Sequence, residues 1–262
     1  MKSKTLLKVI CAILFLLGGS MTVMAQNQER PDRVFINDLE GIWMNEAYVA
    51  ALRQTRMPHH AAKKSKPVVI AIKRDGRVYP YVVTDFDKAA FMVVLAVEPD
   101  NKPNSYRLVL GEKNEPTSAA DATYVWFRGY RDADRKFSKL AFRETFFMDG
   151  KWADYEHVGM ALGPVMNKIV LAGKYKDEKG RDWAFSEEGQ AVFPDKNFYF
   201  ELSINDKKAR CEYLEAEDLM SADGKRYYGY AWKKGKLQLY DAEMKKDRVR
   251  CQSKPFAVLT PQ

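Results

Sequence analysis

The chain has 262 residues, of which 46% are hydrophobic, 30% charged and 13% aromatic, and its formal charge is +8. Those proportions exclude a disordered chain and a bundle of membrane helices, and 15 glycines with 11 prolines exclude a collagen-like or low-complexity one. The length is enough for one large domain or two small ones with their own cores.

Residues 1–25 read as a secretory signal. Lys2, Lys4 and Lys8 form a positive start, Val9 to Leu17 an apolar stretch, and Val23-Met24-Ala25 a cleavage site. The apolar stretch is too short for the roughly 20 residues that span a bilayer, so no stable membrane insertion is expected. Cleavage after Ala25 implies a periplasmic or secreted protein. Loss of the three lysines lowers the formal charge from +8 to +5. Residues 26–33 are polar and read as a flexible lead-in.

Asn45 can cap a short helix in which Tyr48, Ala51, Leu52 and Thr55 share a face, and Met57-Pro58 ends it. From Pro67 onward the period becomes two. Runs such as Pro67 to Arg74, Arg77 to Thr84, Ala89 to Val97, Tyr106 to Leu110 and Thr123 to Tyr130 are bounded by turn residues. Leu140 to Met148 and Trp152 to Val158 follow, joined at Asp149-Gly150. The second half continues with Ile169 to Tyr175, Arg181 to Ser186, Gln190 to Phe193, Phe198 to Ile204 and Ala209 to Leu214. Glu215 to Met220 reads as a second helix or an irregular piece, before Tyr227 to Trp232, Lys236 to Tyr240 and Arg248 to Cys251. A dozen or so short strands joined by tight turns predict an all-β fold, an antiparallel meander closing into a barrel. An outer-membrane barrel is disfavoured, because charged residues occur on both faces of the strands.

Leu39-Glu40-Gly41-Ile42-Trp43 resembles the Gly-x-Trp opening of lipocalins and their calycin relatives. The resemblance implies a tight passage at Gly41 and a structural Trp43 plugging the closed end of the barrel. It also implies a basic cap over the indole from the last strand, for which Arg250 is preferred to Arg248. Leu171-Ala172-Gly173-Lys174-Tyr175 echoes the same phrase. Residues 34–258 are therefore expected to form a single enlarged lipocalin-like barrel, with two halves at 34–160 and 165–258 as the alternative.

Without the signal, Cys211 and Cys251 are the two cysteines left. In an exported chain an even count points to a disulfide, the alternative being two separate buried thiols. Basic runs such as Lys63-Lys64-Ser65-Lys66 fall in expected loops and acids are interspersed with them, so no nucleic-acid partner is expected. The histidines are His59, His60 and His157, and their spacing suggests neither a metal site nor a cofactor. No nucleophile-elbow, phosphate-loop or dinucleotide motif occurs, so no catalytic residue is assigned.

Aromatic ladders remain. Tyr124 and Trp126 alternate on one strand, Phe142 and Phe146 on a second, and Tyr228, Tyr230 and Trp232 on a third. Lining a barrel, they would suit a small apolar or amphipathic ligand such as a lipid. The alternatives are an envelope interaction module with a filled core and a barrel enzyme acting on an apolar substrate.

Overall fold

The computed structural model describes residues 34–63, 67–74, 80–84, 92–111, 123–129, 131, 136–143, 151–204, 209–217, 224–246 and 248–262. The signal, the lead-in and Phe146 lie outside the described residues. Phe35–Gln262 forms one compact unit.

A single turn of 3-10 helix, Ile36–Leu39, leads into β1 (Gly41–Asn45). The strands that follow are β2 (Val69–Lys73), β3 (Tyr81–Thr84), β4 (Met92–Pro99), β5 (Ser105–Gly111), β6 (Thr123–Arg128), β7 (Lys139–Arg143) and β8 (Trp152–Gly159). Each pairs antiparallel with the next, and β8 returns to β1 with Trp43 opposite His157. The ring is closed.

A second ring follows in the chain. It is built from β9 (Gly173–Asp177), β10 (Asp182–Phe185), β11 (Gln190–Phe193), β12 (Lys196–Leu202), β13 (Glu212–Glu217), β14 (Lys225–Lys233) and β15 (Lys236–Lys245). A short β16 (Arg248–Cys251) hangs on the edge of β15, and β17 (Ala257–Pro261) inserts between β15 and β9. The fold is all-β and antiparallel, as expected, but the strands make two closed rings where one enlarged barrel was anticipated. The meander cannot continue past β8, because β1 already occupies that edge. The second ring runs beyond residue 258, since β17 supplies its last wall.

The expected helix is present as α1 (Glu46–Thr55), with Asn45 Oδ1 accepting from the N–H groups of Ala47 and Tyr48 at 3.0 and 3.2 Å. A four-residue α2 (Pro58–Ala61) follows it. A third helix, α3 (Leu162–Val170), fills the gap between the expected strands Trp152 to Val158 and Ile169 to Tyr175 and overlaps the start of the second. Leu162, Met166 and Val170 recur on one face and are buried, and Pro164 sits in the first turn, where no intrahelical donor is lost. Glu212–Glu217 is a strand, so the helix proposed for Glu215 to Met220 does not start there, and residues 218–220 lie outside the described set.

Alternation explains the walls. In β6, Val125 and Phe127 are buried while Tyr124 and Trp126 are half-buried on the other face. The outer face of β1 and β2 is apolar as well, through Ile42, Met44, Val69 and Ala71. Those residues join one continuous core with Tyr48 and Leu52 of α1, Met166 and Val170 of α3, and the inward residues of the second ring. The helices stand between the first barrel's wall and the second barrel's interior.

Candidate functional site

Both rings begin in the same way. Trp43 is fully buried and its Nε1 donates to the Leu39 carbonyl at 2.9 Å. Tyr175, two residues after Gly173, donates its hydroxyl to the carbonyl of Leu171, again four residues back. Burial pushes the Tyr175 phenol up to about 12, with Arg56 pulling weakly the other way, so it stays a neutral donor. Gly41 has φ +135°, and an added Cβ would lie 2.1 Å from His157 Nε2.

His157 is also the ring that covers Trp43, at 4.8 Å between centroids, with Phe142 edge-on at 6.1 Å on the inner side. The expected cap from Arg250 is not found. Arg250 is exposed on β16 opposite Glu243, because β16 is an appendage of the second ring and not the last wall of the first. An arginine-over-tryptophan contact does occur elsewhere: the Arg56 guanidinium sits 4.3 Å over Trp232.

The ladders divide. Tyr124 and Trp126 face outward, not into a pocket. Strand register puts Arg107, Trp126, Arg143 and Trp152 in one row across β5 to β8. Arg143 stacks over Trp126 at 5.1 Å and Trp152 at 5.4 Å, and Arg107 over Tyr124 at 5.0 Å. Phe142 does point inward, but it is fully buried between Trp43, Phe127 and Tyr155. Tyr228, Tyr230 and Trp232 also point inward. Tyr228 stacks on Phe198 at 5.4 Å, and Trp232 Nε1 donates to Val170 O at 3.0 Å. Tyr230 is buried beside Tyr48 and Glu212, and desolvation, then those two neighbours, pushes its phenol well up. Protein rings therefore occupy the faces that were expected to hold a ligand.

The open volume lies elsewhere. A cavity of about 820 Å³ is bounded by the first turns of α3 and by β12 and β13. Its apolar part is Leu162, Pro164, Met166, Leu202 and Ile204, and its polar part includes Tyr199, Glu188, Glu201, Glu215 and Glu217. Lys225 also lines it and is ion-paired to Glu215. Glu201 and Glu215 face each other in register. The rim is acidic, so the polar end of a guest would be a cation or a hydrogen-bond donor.

Cys211 and Cys251 are joined, with Cα atoms 6.2 Å apart, tying the start of β13 to β16. The bridge lies on Gly229 of β14, where a Cβ would come within 2.0 Å of Cys251 Sγ. Among the described residues no group of three His, Cys, Asp or Glu side chains is arranged to hold a metal ion, and no helix is long and apolar enough to cross a membrane. His59 lies in neither category. Its Nδ1 is 3.2 Å from Cys211 O and its Nε2 is 3.1 Å from Ser203 Oγ.

No family model, no curated protein and no solved structure matches the chain.

Two features are not announced by the expected elements. The cavity depends on α3, whose apolar spacing at Leu162, Met166, Ile169 and Val170 was a helical signal hidden by Gly163-Pro164. The partners of His59 lie 144 and 153 residues away, and no local pattern announces them.

Proposed function

We propose that this is an exported β-barrel protein that binds a small amphipathic ligand, and that the ligand sits in the cavity beside α3. The cavity carries the reading: about 820 Å³, with an apolar floor at Leu162, Met166, Leu202 and Ile204 and a carboxylate rim, fits one small guest. The signal-like sequence of residues 1–25 and the Cys211–Cys251 bridge support export to an oxidising compartment. The Gly41-Ile42-Trp43 opening supports kinship with lipocalins, with the ligand outside the barrel axis.

Mass spectrometry of gently purified protein tests the reading. An amphipathic molecule should accompany the wild type. Gly163 lines the cavity, and a Cβ added there meets nothing within 4 Å, so Gly163→Trp should expel the molecule while the fold stands, as its melting curve checks. If nothing accompanies the wild type, and no cationic or neutral amphiphile binds by calorimetry, the reading fails. The filled interiors of both rings favour one alternative, an interaction module without a ligand, and that result would leave it standing.

A further inference from the structure

Three residues from separate parts of the chain meet at the junction between the two rings. His59 of α2 lies with Nε2 3.1 Å from Ser203 Oγ, just past the end of β12. Its Nδ1 is 3.4 Å from Glu212 Oε2 at the start of β13, and 3.2 Å from the Cys211 carbonyl. Glu212 is itself held: its two carboxylate oxygens accept from the backbone N–H groups of His59 at 2.9 Å and His60 at 3.0 Å. The Tyr213 ring lies 5.7 Å from the imidazole.

The hydrogen bonds fix the tautomer. Nδ1 faces two acceptors and no donor, so it carries the proton. Nε2 then offers its lone pair to the Ser203 hydroxyl. A serine hydroxyl, an imidazole base and a carboxylate thus line up, with the Nδ1 hydrogen bond going to the Cys211 carbonyl and Glu212 Oε2 beside it at 3.4 Å. Burial suits it too: Glu212 is 5% exposed and the His59 side chain 13%, shielded but within reach of a substrate.

We propose that Ser203, His59 and Glu212 form an acyl-transfer centre that hydrolyses carboxylic esters. Ser203 Oγ bonds to the ester carbonyl carbon as its proton passes to His59 Nε2. The carbon–oxygen bond to the alcohol then breaks, and His59 returns the proton to the departing alcohol oxygen. Water adds to the Ser203 ester through the same base, releasing the acid and restoring the hydroxyl. Ser203 and His59 are the catalytic residues, and Glu212 is a positioning residue. Ser203 lies outside the cavity lining, but its chain neighbours Leu202 and Ile204 belong to it, so an apolar acyl chain is the class to test. That choice of acyl chain rests on the cavity reading above, and the nucleophile does not.

A fluorophosphonate probe and two esters, p-nitrophenyl acetate and p-nitrophenyl octanoate, test it on the full disulfide-bonded protein. Peptide mapping should place the phosphonyl group on Ser203, and Ser203→Ala should abolish both labelling and hydrolysis. His59→Gln should slow labelling by about 100-fold or more, as loss of a general base does. Melting curves of both variants establish that they are folded. Imidazole 15N shifts should show the Nδ1–H tautomer in the wild type, held by Glu212 and the Cys211 carbonyl. Octanoate should be preferred to acetate, and Gly163→Trp should erase that preference.

Folded wild type that takes no label at Ser203 overturns the centre, whether or not the cavity binds ligands. A label that persists undiminished in folded His59→Gln, or an Nε2–H tautomer, overturns the relay. Labelling and acetate hydrolysis without any octanoate preference keep the centre and remove the apolar acyl chain.

Discussion

The two rings share an opening and differ in how it is sealed. In the first, Trp43 hangs from the Leu39 carbonyl and is covered by His157 of β8, so every part of the plug belongs to that ring. In the second, Tyr175 hangs from Leu171, with Trp232 of β14 6.3 Å away and Arg56, which follows α1, laid over the indole. The second ring borrows its cover from the first half of the chain. Its interior also merges with the helices and the outer face of β1 and β2. The first ring's plug is thus self-contained and the second's is not.

Substitution at the two plugs separates these cases. Trp43→Ala removes a fully buried indole and its hydrogen bond, and should lower stability by about 3–5 kcal/mol in denaturant melts. An unchanged midpoint would show that the first ring does not depend on its plug. A smaller loss is expected at the borrowed cover. Arg56 is exposed apart from its stacking, so Arg56→Ala should cost about 0.5–1 kcal/mol. Arg250→Ala should stay within about 0.5 kcal/mol, as for an ordinary surface change. Equal costs at the two arginines would remove the asymmetry.

A pH dependence is a further expected effect, and in the second ring it centres on Asp177. Burial pushes the Asp177 carboxyl up, but hydrogen bonds from the Arg181 backbone and side chain, the Trp183 indole and the Lys179 backbone outweigh it. They hold the group at about 2, below the ordinary 3.8. Its folded value lies below its unfolded one, so its stabilising contribution is complete above pH of about 4 and is lost as pH falls through about 2. Asp177→Asn should flatten the acid limb of stability between those limits in urea melts. An acid limb identical to wild type would show that Asp177 is not coupled to folding.

Much of the architecture is legible in the residue pattern. Period-two runs mark most of the walls, Asn45 marks the start of α1, and the Leu-x-Gly-x-aromatic phrase at Leu39 and Leu171 marks both ring openings. Periodicity does not tell which face is inside when both faces carry rings. Tyr124 and Trp126 share a face in either case, and only the pairing of β6 with Arg107 and Arg143 shows that this face is outside. Chain closure is equally silent, because β17 ends in Thr260-Pro261 and shows little strand character. The His59 cluster is the extreme case. Its members are ordinary residues locally, and the two-ring fold alone makes them neighbours.

One consequence of β17 concerns the order in which the chain emerges during synthesis. The first ring has all eight strands once Gly159 is available, and β1 and β8 can zip shut at that point. The second ring starts with β9 but waits for Ala257–Pro261, whose Leu259 pairs with Asp177 and Leu237 at once. Until then β9 and the Leu237–Leu239 part of β15 present bare edges. A ribosome stalled a few residues before Ala257 would therefore carry one finished ring and one open sheet.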